Sequence, residues 1–370
     1  MTSPRAEIVV DLGAIRANIR ALRDRVRADL MVVVKANAYG HGMVPVARVA
    51  REAGAAWLGV ATLDEAFELR AAGDTGPILS WLHVPGEDFE RAAALGVDVT
   101  AYGVGELLGM SADVRGLRVQ LKIDSGLSRG GATLAQWPDV VAAALQAQHS
   151  GAIEVTGIWS HFANADDPRD PLSQIQADRF SQALGMAHDA GLAPQAIHLA
   201  NSAGATLRTT DTVCTLARIG IAAYGLDPAP AVSRLGLTPA MTVRTRLAMV
   251  KSIGAGEGVS YGHTFIAPRP MQIGLVPIGY AEGVPRHASG RGKVWINDVR
   301  CDVLGRVCMD QFIVDVGEAG AEAGDEVIVF GPGTAGEPTA QDWAVASDTI
   351  NYEIVSRMGG RLTHTYTDSG

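Results

Sequence analysis

Leu30-Met31-Val32-Val33-Val34-Lys35, then a helical stretch over 44–53 closed by Gly54, then Trp57-Leu58-Gly59-Val60, reads as strand, helix and strand. The two outer runs are short, apolar and β-branched, with no polar residue alternating through them. Such runs suit parallel strands buried on both faces. The middle stretch carries apolar residues at three- and four-residue spacing, the period of a helix with one buried face. Gly54 stands where a helix commonly ends in a left-handed residue. The pattern continues outward. Further strands are expected over 78–81, 97–100, 119–123, 155–159, 196–199 and 216–219, and further helices over 63–72, 139–148 and 172–190. Gly73, Gly96 and Gly191 repeat the closing role. Eight strand-and-helix units in roughly 200 residues point to an α/β fold, a (β/α)8 TIM-type barrel. Periodicity alone leaves a doubly wound open sheet as the alternative.

Past Gly236 the texture changes. Strands are expected over 243–253, 272–276, 293–296, 299–303, 311–316 and 326–330, with Asn297-Asp298 as a tight turn and one helix over 343–358. Strands in a row without crossover helices indicate a mostly β C-terminal domain. The division expected is a barrel over 1–235 and a β domain over 236–370.

Composition excludes several classes. The net charge of −9 and the lack of any Lys/Arg cluster argue against nucleic acid as a partner. No apolar run approaches the roughly 18 residues that a membrane helix needs. Residues 1–11 do not read as a signal peptide. Cys214, Cys301 and Cys308 are odd in number and widely spaced, which suits neither a disulfide framework nor a metal site. A reducing cytoplasm is the expected setting.

Barrels place chemistry at the C-terminal ends of their strands. The first strand runs into Lys35, one of only four lysines in the chain, and then Tyr39. The fifth is followed by Asp124 and Arg129, the sixth by His161, the seventh by Asn201-Ser202, and the eighth carries Arg218-Ile219-Gly220-Ile221. Each alone has a bland reading: a solvated lysine, a structural histidine, a helix cap, a turn. Together they put reactive groups on one rim. A lysine amine there can form a Schiff base. Ser202 and the Gly220 backbone follow strands seven and eight, where barrels often bind phosphate. A phosphorylated aldehyde would satisfy both, and pyridoxal phosphate is one.

The run Val34-Lys35-Ala36-Asn37-Ala38-Tyr39-Gly40-His41-Gly42 resembles the cofactor-lysine motif of alanine racemases. The likeness continues through Leu121 to Arg129, Ser160 to Asp166, Ala200 to Ala203, Arg218 to Ile221, Val259-Ser260-Tyr261-Gly262, Gly279 to Gly283, Gly305 to Gln311, and Ile350-Asn351-Tyr352-Glu353. Leu127-Ser128 stands where Met-Gly is expected, Glu282 replaces a commoner Asp, and residues 361–370 depart from the pattern.

The resemblance implies interconversion of L- and D-alanine by a two-base mechanism on a pyridoxal-phosphate aldimine, supplying D-alanine for peptidoglycan. Lys35 would bind the cofactor and serve D-alanine, and Tyr261 would serve L-alanine. His161 would assist Tyr261, and Arg218 would face the pyridine nitrogen. A guanidinium, with a pKa above about 12, donates a hydrogen bond there without giving up its proton. Tyr39, Asn201, Ser202, Gly220, Ile221 and Tyr352 would hold the cofactor, chiefly its phosphate. Arg129 would meet the phenolic oxygen. Lys122 is either carbamylated or an ordinary salt-bridged lysine. Met309 would offer its N–H to the substrate carboxylate, while Tyr280 and Asp310 narrow the way in. Tyr261 and Met309 would act in a second subunit's site, which implies a homodimer with shared sites. The rivals are a broader-specificity amino-acid racemase and a non-catalytic protein that binds pyridoxal phosphate.

Overall fold

A computed structural model describes residues 4–112, 114–207 and 214–369. The chain forms two compact units. One comprises Arg16–Ala36 and Met43–Leu237, the other Met1–Ile15, Asn37–Gly42 and Thr238–Gly370.

After β1 (Ala6–Asp11), which belongs to the second unit, come the barrel strands. They are β2 (Asp29–Val33), β3 (Trp57–Val60), β4 (Ile78–Ser80), β5 (Val97–Ala101), β6 (Leu117–Lys122), β7 (Ile153–Trp159), β8 (Ala196–His198) and β9 (Leu216–Ile219). All eight expected strands are present, in the spatial order β8-β7-β6-β5-β4-β3-β2-β9. β9 pairs in parallel with β2, setting Met31 opposite Arg218. Thr215 N donates to Ile197 O at 2.9 Å and Arg218 N to Ala200 O at 3.0 Å, which ties β9 to β8 and nearly closes the ring. That seam excludes the open-sheet alternative.

The interior has two characters. Met31, Leu79, Ala196 and Leu216 pack across it with Trp57 and Trp81 against them. Strands β5 to β9 instead bury Asp98, Gln120, Thr156, His198 and Arg218. Every such polar group needs a partner, because an unmatched one costs about 1–3 kcal/mol.

The second unit is a nine-stranded sheet. Its further members are β10 (Met241–Arg246), β11 (Met249–Ile253), β14 (Met271–Val276), β15 (Lys293–Ile296), β16 (Val299–Leu304), β17 (Phe312–Asp315), β18 (Glu326–Phe330) and β19 (Thr363–Thr367); β12 (Gly258–Val259) and β13 (Phe265–Ile266) form a separate hairpin. Its apolar packing includes Ile253, Val259, Met271, Ile273 and Leu304.

Two expectations for this unit need correction. The single strand over 243–253 is two, because the chain changes partners at the break. Leu247 N donates to Asp325 O, whereas Ala248 N donates to Leu275 O. The helix over 343–358 is also two, Ala340–Ala346 and Asn351–Arg357. Asp348 between them is left-handed at φ 51°. Asn297 and Asp298, at φ 46° and 63°, make the expected turn between β15 and β16.

Candidate active site

Lys35 follows β2 and opens a short helical turn, Lys35–Tyr39. The turn is left-handed: Ala36, Asn37, Ala38 and Tyr39 all lie at φ 53–54°. For L-residues this costs roughly 1–2 kcal/mol per residue, so the surroundings must hold it. Glu65 supplies one restraint. Its carboxylate accepts from Ala36 N at 2.6 Å and from Ala61 N at 2.7 Å, while closing a capping box with Thr62 at the start of helix Leu63–Ala71.

The Lys35 ammonium lies 5.7 Å from the centroid of the Trp81 ring. Burial holds its pKa below the ordinary lysine value. The positive charge of Arg129 pushes the same way, and Glu65 opposes them. Both effects favour the neutral amine.

Lys122 ends β6 and is buried, 4.4 Å over Trp159 and 5.2 Å from the Tyr102 ring centre. It pairs with no carboxylate among the described residues. Burial, with help from Arg218 and Arg129, pulls its pKa down to about 8. Arg129 is exposed on the loop after β6. That loop is gathered by Asp124 Oδ1, which accepts from the backbone N–H of Gly126, Leu127 and Ser128 at 2.9–3.1 Å.

Among the described residues Arg218 is the most enclosed lysine or arginine, 4% exposed. Its Nη1 donates to His198 Nδ1 at 2.7 Å and His198 O at 3.3 Å. Its Nη2 reaches Ser160 O at 2.8 Å, Leu199 O at 3.0 Å and His161 Nδ1 at 3.0 Å. The guanidinium also lies 4.9 Å from the Trp159 ring centre. No carboxylate pairs with it among the described residues. Burial lowers its pKa to about 9, which still leaves it charged at neutral pH. Both Nη groups are saturated, and Nε–H is the donor that meets no acceptor among the described residues.

His161 accepts from Arg218, so its Nδ1 carries no proton. Burial comes first in holding its pKa well below the ordinary histidine value, followed by Arg218, Arg129, Lys122 and Lys35. Beside them, Ser202 Oγ accepts from Gly220 N at 2.9 Å, and Asn201 Oδ1 accepts from Gly204 N at 2.9 Å, capping helix Ser202–Leu207. Ile221 begins the 3-10 turn that follows Gly220. The barrel unit therefore gathers Lys35, Lys122, Arg129, His161, Ser202, Arg218 and Gly220 at one rim.

The remaining expected residues lie in the β unit. The Tyr39 and Tyr352 rings are 6.3 Å apart, and burial raises the Tyr39 phenol above its usual range. Tyr261 is 72% exposed and Met309 54%. Ala281 N donates to Met309 O at 3.0 Å, which sets Tyr280 beside the Met309-Asp310 segment. Asp310 is held by Arg361, whose Nη2 donates to Oδ1 at 2.6 Å. Arg361 also pairs with buried Glu282. A Glu in place of the commoner Asp is thus fully engaged: its other oxygen accepts from Gly279 N at 2.9 Å.

Sequence reasoning passed over Trp81, Trp159, Glu65 and His198. The tryptophans stand at strand ends and were open to the rule that found His161. His198 ends β8 in the same way, and Glu65 stands three residues after Thr62 in a capping-box pattern, although neither pattern points to the residue's partner across the barrel.

No group of His, Cys, Asp and Glu among the described residues could hold a metal ion. The three cysteines are free thiols.

Comparison with known proteins places this arrangement. Residues 10–228 match the family model "Alanine racemase, N-terminal domain", and residues 240–366 match "Alanine racemase, C-terminal domain". The chain is 51% identical to an alanine racemase of Salinispora tropica over 96% of both proteins. It superposes on an alanine racemase of D-cycloserine-producing Streptomyces lavendulae with a TM-score of 0.97 and 49% identity, covering 100% of this chain and 98% of that one. The alanine racemase of Bartonella henselae, solved with covalently bound pyridoxal phosphate, matches with a TM-score of 0.88 and 27% identity over 99% of this chain and 100% of that one.

Proposed function

The chain belongs to the alanine racemase family, and from that premise we propose that it interconverts L- and D-alanine with pyridoxal phosphate held at the barrel rim. The observation that carries the cofactor reading is Arg218. A buried guanidinium whose two Nη groups are saturated, and whose Nε–H is left over, fits a ring nitrogen that accepts a hydrogen bond. Lys35 supplies the amine, and Ser202, Gly220 and Ile221 supply the phosphate end. When bound, the cofactor supplies an electron-withdrawing ring that acidifies the substrate's Cα–H.

The protein's own groups do the rest. Lys35, with its pKa lowered, holds or releases a proton at Nζ on one face of Cα. The other face needs a second base, because one side chain cannot reach both. Tyr261 is that base, contributed by a second copy of the chain, and its 72% exposure suits a residue that works outside its own subunit. A phenol is a weak base near neutral pH. We assign His161, neutral and hydrogen-bonded by Arg218, to assist Tyr261 through a hydrogen-bonded chain. Met309 from the same second copy offers its N–H to the carboxylate. Tyr280 and Asp310, the latter braced by Arg361, restrict the way in to a small side chain. Arg218 donates without surrendering its proton, so little charge is drawn onto the ring nitrogen. This favours simple return of a proton over transamination.

Lys122 is proposed to be carbamylated, since a buried amine with a pKa near 8 and no carboxylate partner is suited to react with carbon dioxide. We further propose a homodimer acting in the cytoplasm to supply D-alanine for peptidoglycan. No described helix is long and apolar enough to cross a membrane.

The test is D-alanine formation from L-alanine by the purified protein with added pyridoxal phosphate, followed by chiral chromatography. Racemisation in both directions is expected. A protein that binds the cofactor but leaves alanine untouched and turns over another amino acid would replace the substrate assignment.

A further inference from the structure

Arg218 begins a line of side chains across the polar half of the barrel interior. A guanidinium only donates, so the 2.7 Å contact from Nη1 makes His198 Nδ1 an acceptor. The His198 proton must then sit on Nε2, which lies 2.7 Å from Gln120 Oε1. Gln120 Nε2 in turn donates to Asp98 Oδ2 at 3.0 Å. Asp98 only accepts. Its Oδ1 takes Arg118 Nε at 2.7 Å, and Thr156 Oγ1 donates to Oδ2. Every donor in the line therefore points from Arg218 toward Asp98.

No member can be reversed alone. Turning the Gln120 amide would put its NH2 against the His198 Nε2–H. His198 and Gln120 are 0% exposed and Asp98 1%, so water cannot substitute for a lost link. The barrel register makes this possible. Asp98, Gln120, His198 and Arg218 come from β5, β6, β8 and β9, and each faces inward.

We propose that Asp98 is a positioning residue for the reaction: through Gln120 and His198 it fixes the proton arrangement that keeps Arg218 a charged donor. This rests on the reading that Arg218 addresses the cofactor ring. Asp98 touches neither cofactor nor substrate. Its charge is paired with Arg118, and it reaches Arg218 only through the hydrogen-bonded line.

The isosteric change Asp98→Asn tests this. Arg118 would demand the Asn oxygen, which turns the Asn NH2 toward Gln120. Gln120 must then present its oxygen to that NH2 and its own NH2 to His198 Nε2. The His198 proton would be driven to Nδ1, against Arg218.

The first readout is nitrogen-15 NMR of labelled histidine in cofactor-free protein, with the His198 signals identified by their loss in His198→Gln. The Nε2–H form is expected in the wild type and its loss in Asp98→Asn. With cofactor, the variant should show a shifted visible absorbance. Its kcat should fall about tenfold with little change in KM, the rate counterpart of one charge-assisted hydrogen bond. Asp98→Glu should recover part of it.

An unchanged His198 tautomer in Asp98→Asn overturns the proposal whatever the activity. A changed tautomer with unaltered absorbance and kcat instead overturns the assignment of Arg218 to the cofactor ring. Should Asp98→Asn fail to fold, the wild-type spectrum decides alone, because a proton on Nδ1 is incompatible with the line as described.

Discussion

His161 Nδ1 sits 3.0 Å from Arg218 Nη2, and this contact leaves Nδ1 only the accepting role, so the proton of the neutral imidazole sits on Nε2. Protonating His161 would set two cations against each other in a buried place. The same holds for His198, which meets the other Nη group of the same arginine.

A pH dependence of stability follows. Burial lowers His41 and His83 to about 4, and His161 and His198 lie well below the ordinary value. In the unfolded chain each titrates near 6.5. Between those values the unfolded state binds more protons, so stability rises with pH. It is whole above about pH 6.5 and is lost as pH falls toward 4, by about 1.4 kcal/mol per pH unit for each histidine. Urea unfolding from pH 4.5 to 7.5 should show this slope. A flat profile would mean that these histidines take up protons in the folded protein as they do in the unfolded chain.

Lys35→Ala should remove the cofactor's visible absorbance and activity in both directions. Tyr261→Phe should keep the absorbance and lose about 100- to 10,000-fold in removing the proton from L-alanine, the usual worth of a general base. Single-turnover loss of the Cα deuterium from each labelled enantiomer separates the two. Full activity of Tyr261→Phe in both directions would end the two-base assignment.

Carbamylation of Lys122 should appear as a carbonyl signal in carbon-13 NMR after incubation with labelled bicarbonate at pH 8. Lys122→Ala should lose that signal and activity, and short carboxylic acids should restore part of the activity. If no signal appears in the wild type, Lys122 stands as a cation between two aromatic rings.

The left-handed turn after Lys35 gives opposite outcomes at neighbouring positions. Ala36→Gly removes the Cβ penalty at φ 53° and should stabilise the fold by roughly 1 kcal/mol, less what glycine adds to the unfolded chain's freedom. Gly40→Ala should destabilise it by about 2–4 kcal/mol, because the new Cβ would fall 2.4 Å from Val355 O. Chemical denaturation checks both. A destabilised Ala36→Gly would mean that the turn carries no strain.

The barrel was legible because each strand is an unbroken apolar run between helices, and the chemistry was legible where reactive side chains follow those runs. β1 was not, since Ala6–Asp11 acquires meaning only beside β10 and β19, far along the chain. The breaks at Leu247 and Asp348 depend on which carbonyl a given N–H meets, which composition does not record. Asp98, Gln120 and His198 look like scattered polar residues until the register places them on one inner wall.

The pairing of β2 with β9 also bears on how the molecule is made. The strand that leads into Lys35 is laid down early, and the strand that carries Arg218 is the last of the ring. Tyr224, just past β9, donates to Val33 O across 191 residues of chain. During synthesis, β2 must therefore wait with one edge unpaired until about three fifths of the polypeptide has emerged. Contacts of such long sequence separation form slowly, and a waiting apolar edge invites pairing with other chains. A nascent or truncated chain that ends before β9 would hold Lys35 and lack Arg218. The seam thus ties assembly of the candidate site to completion of the barrel.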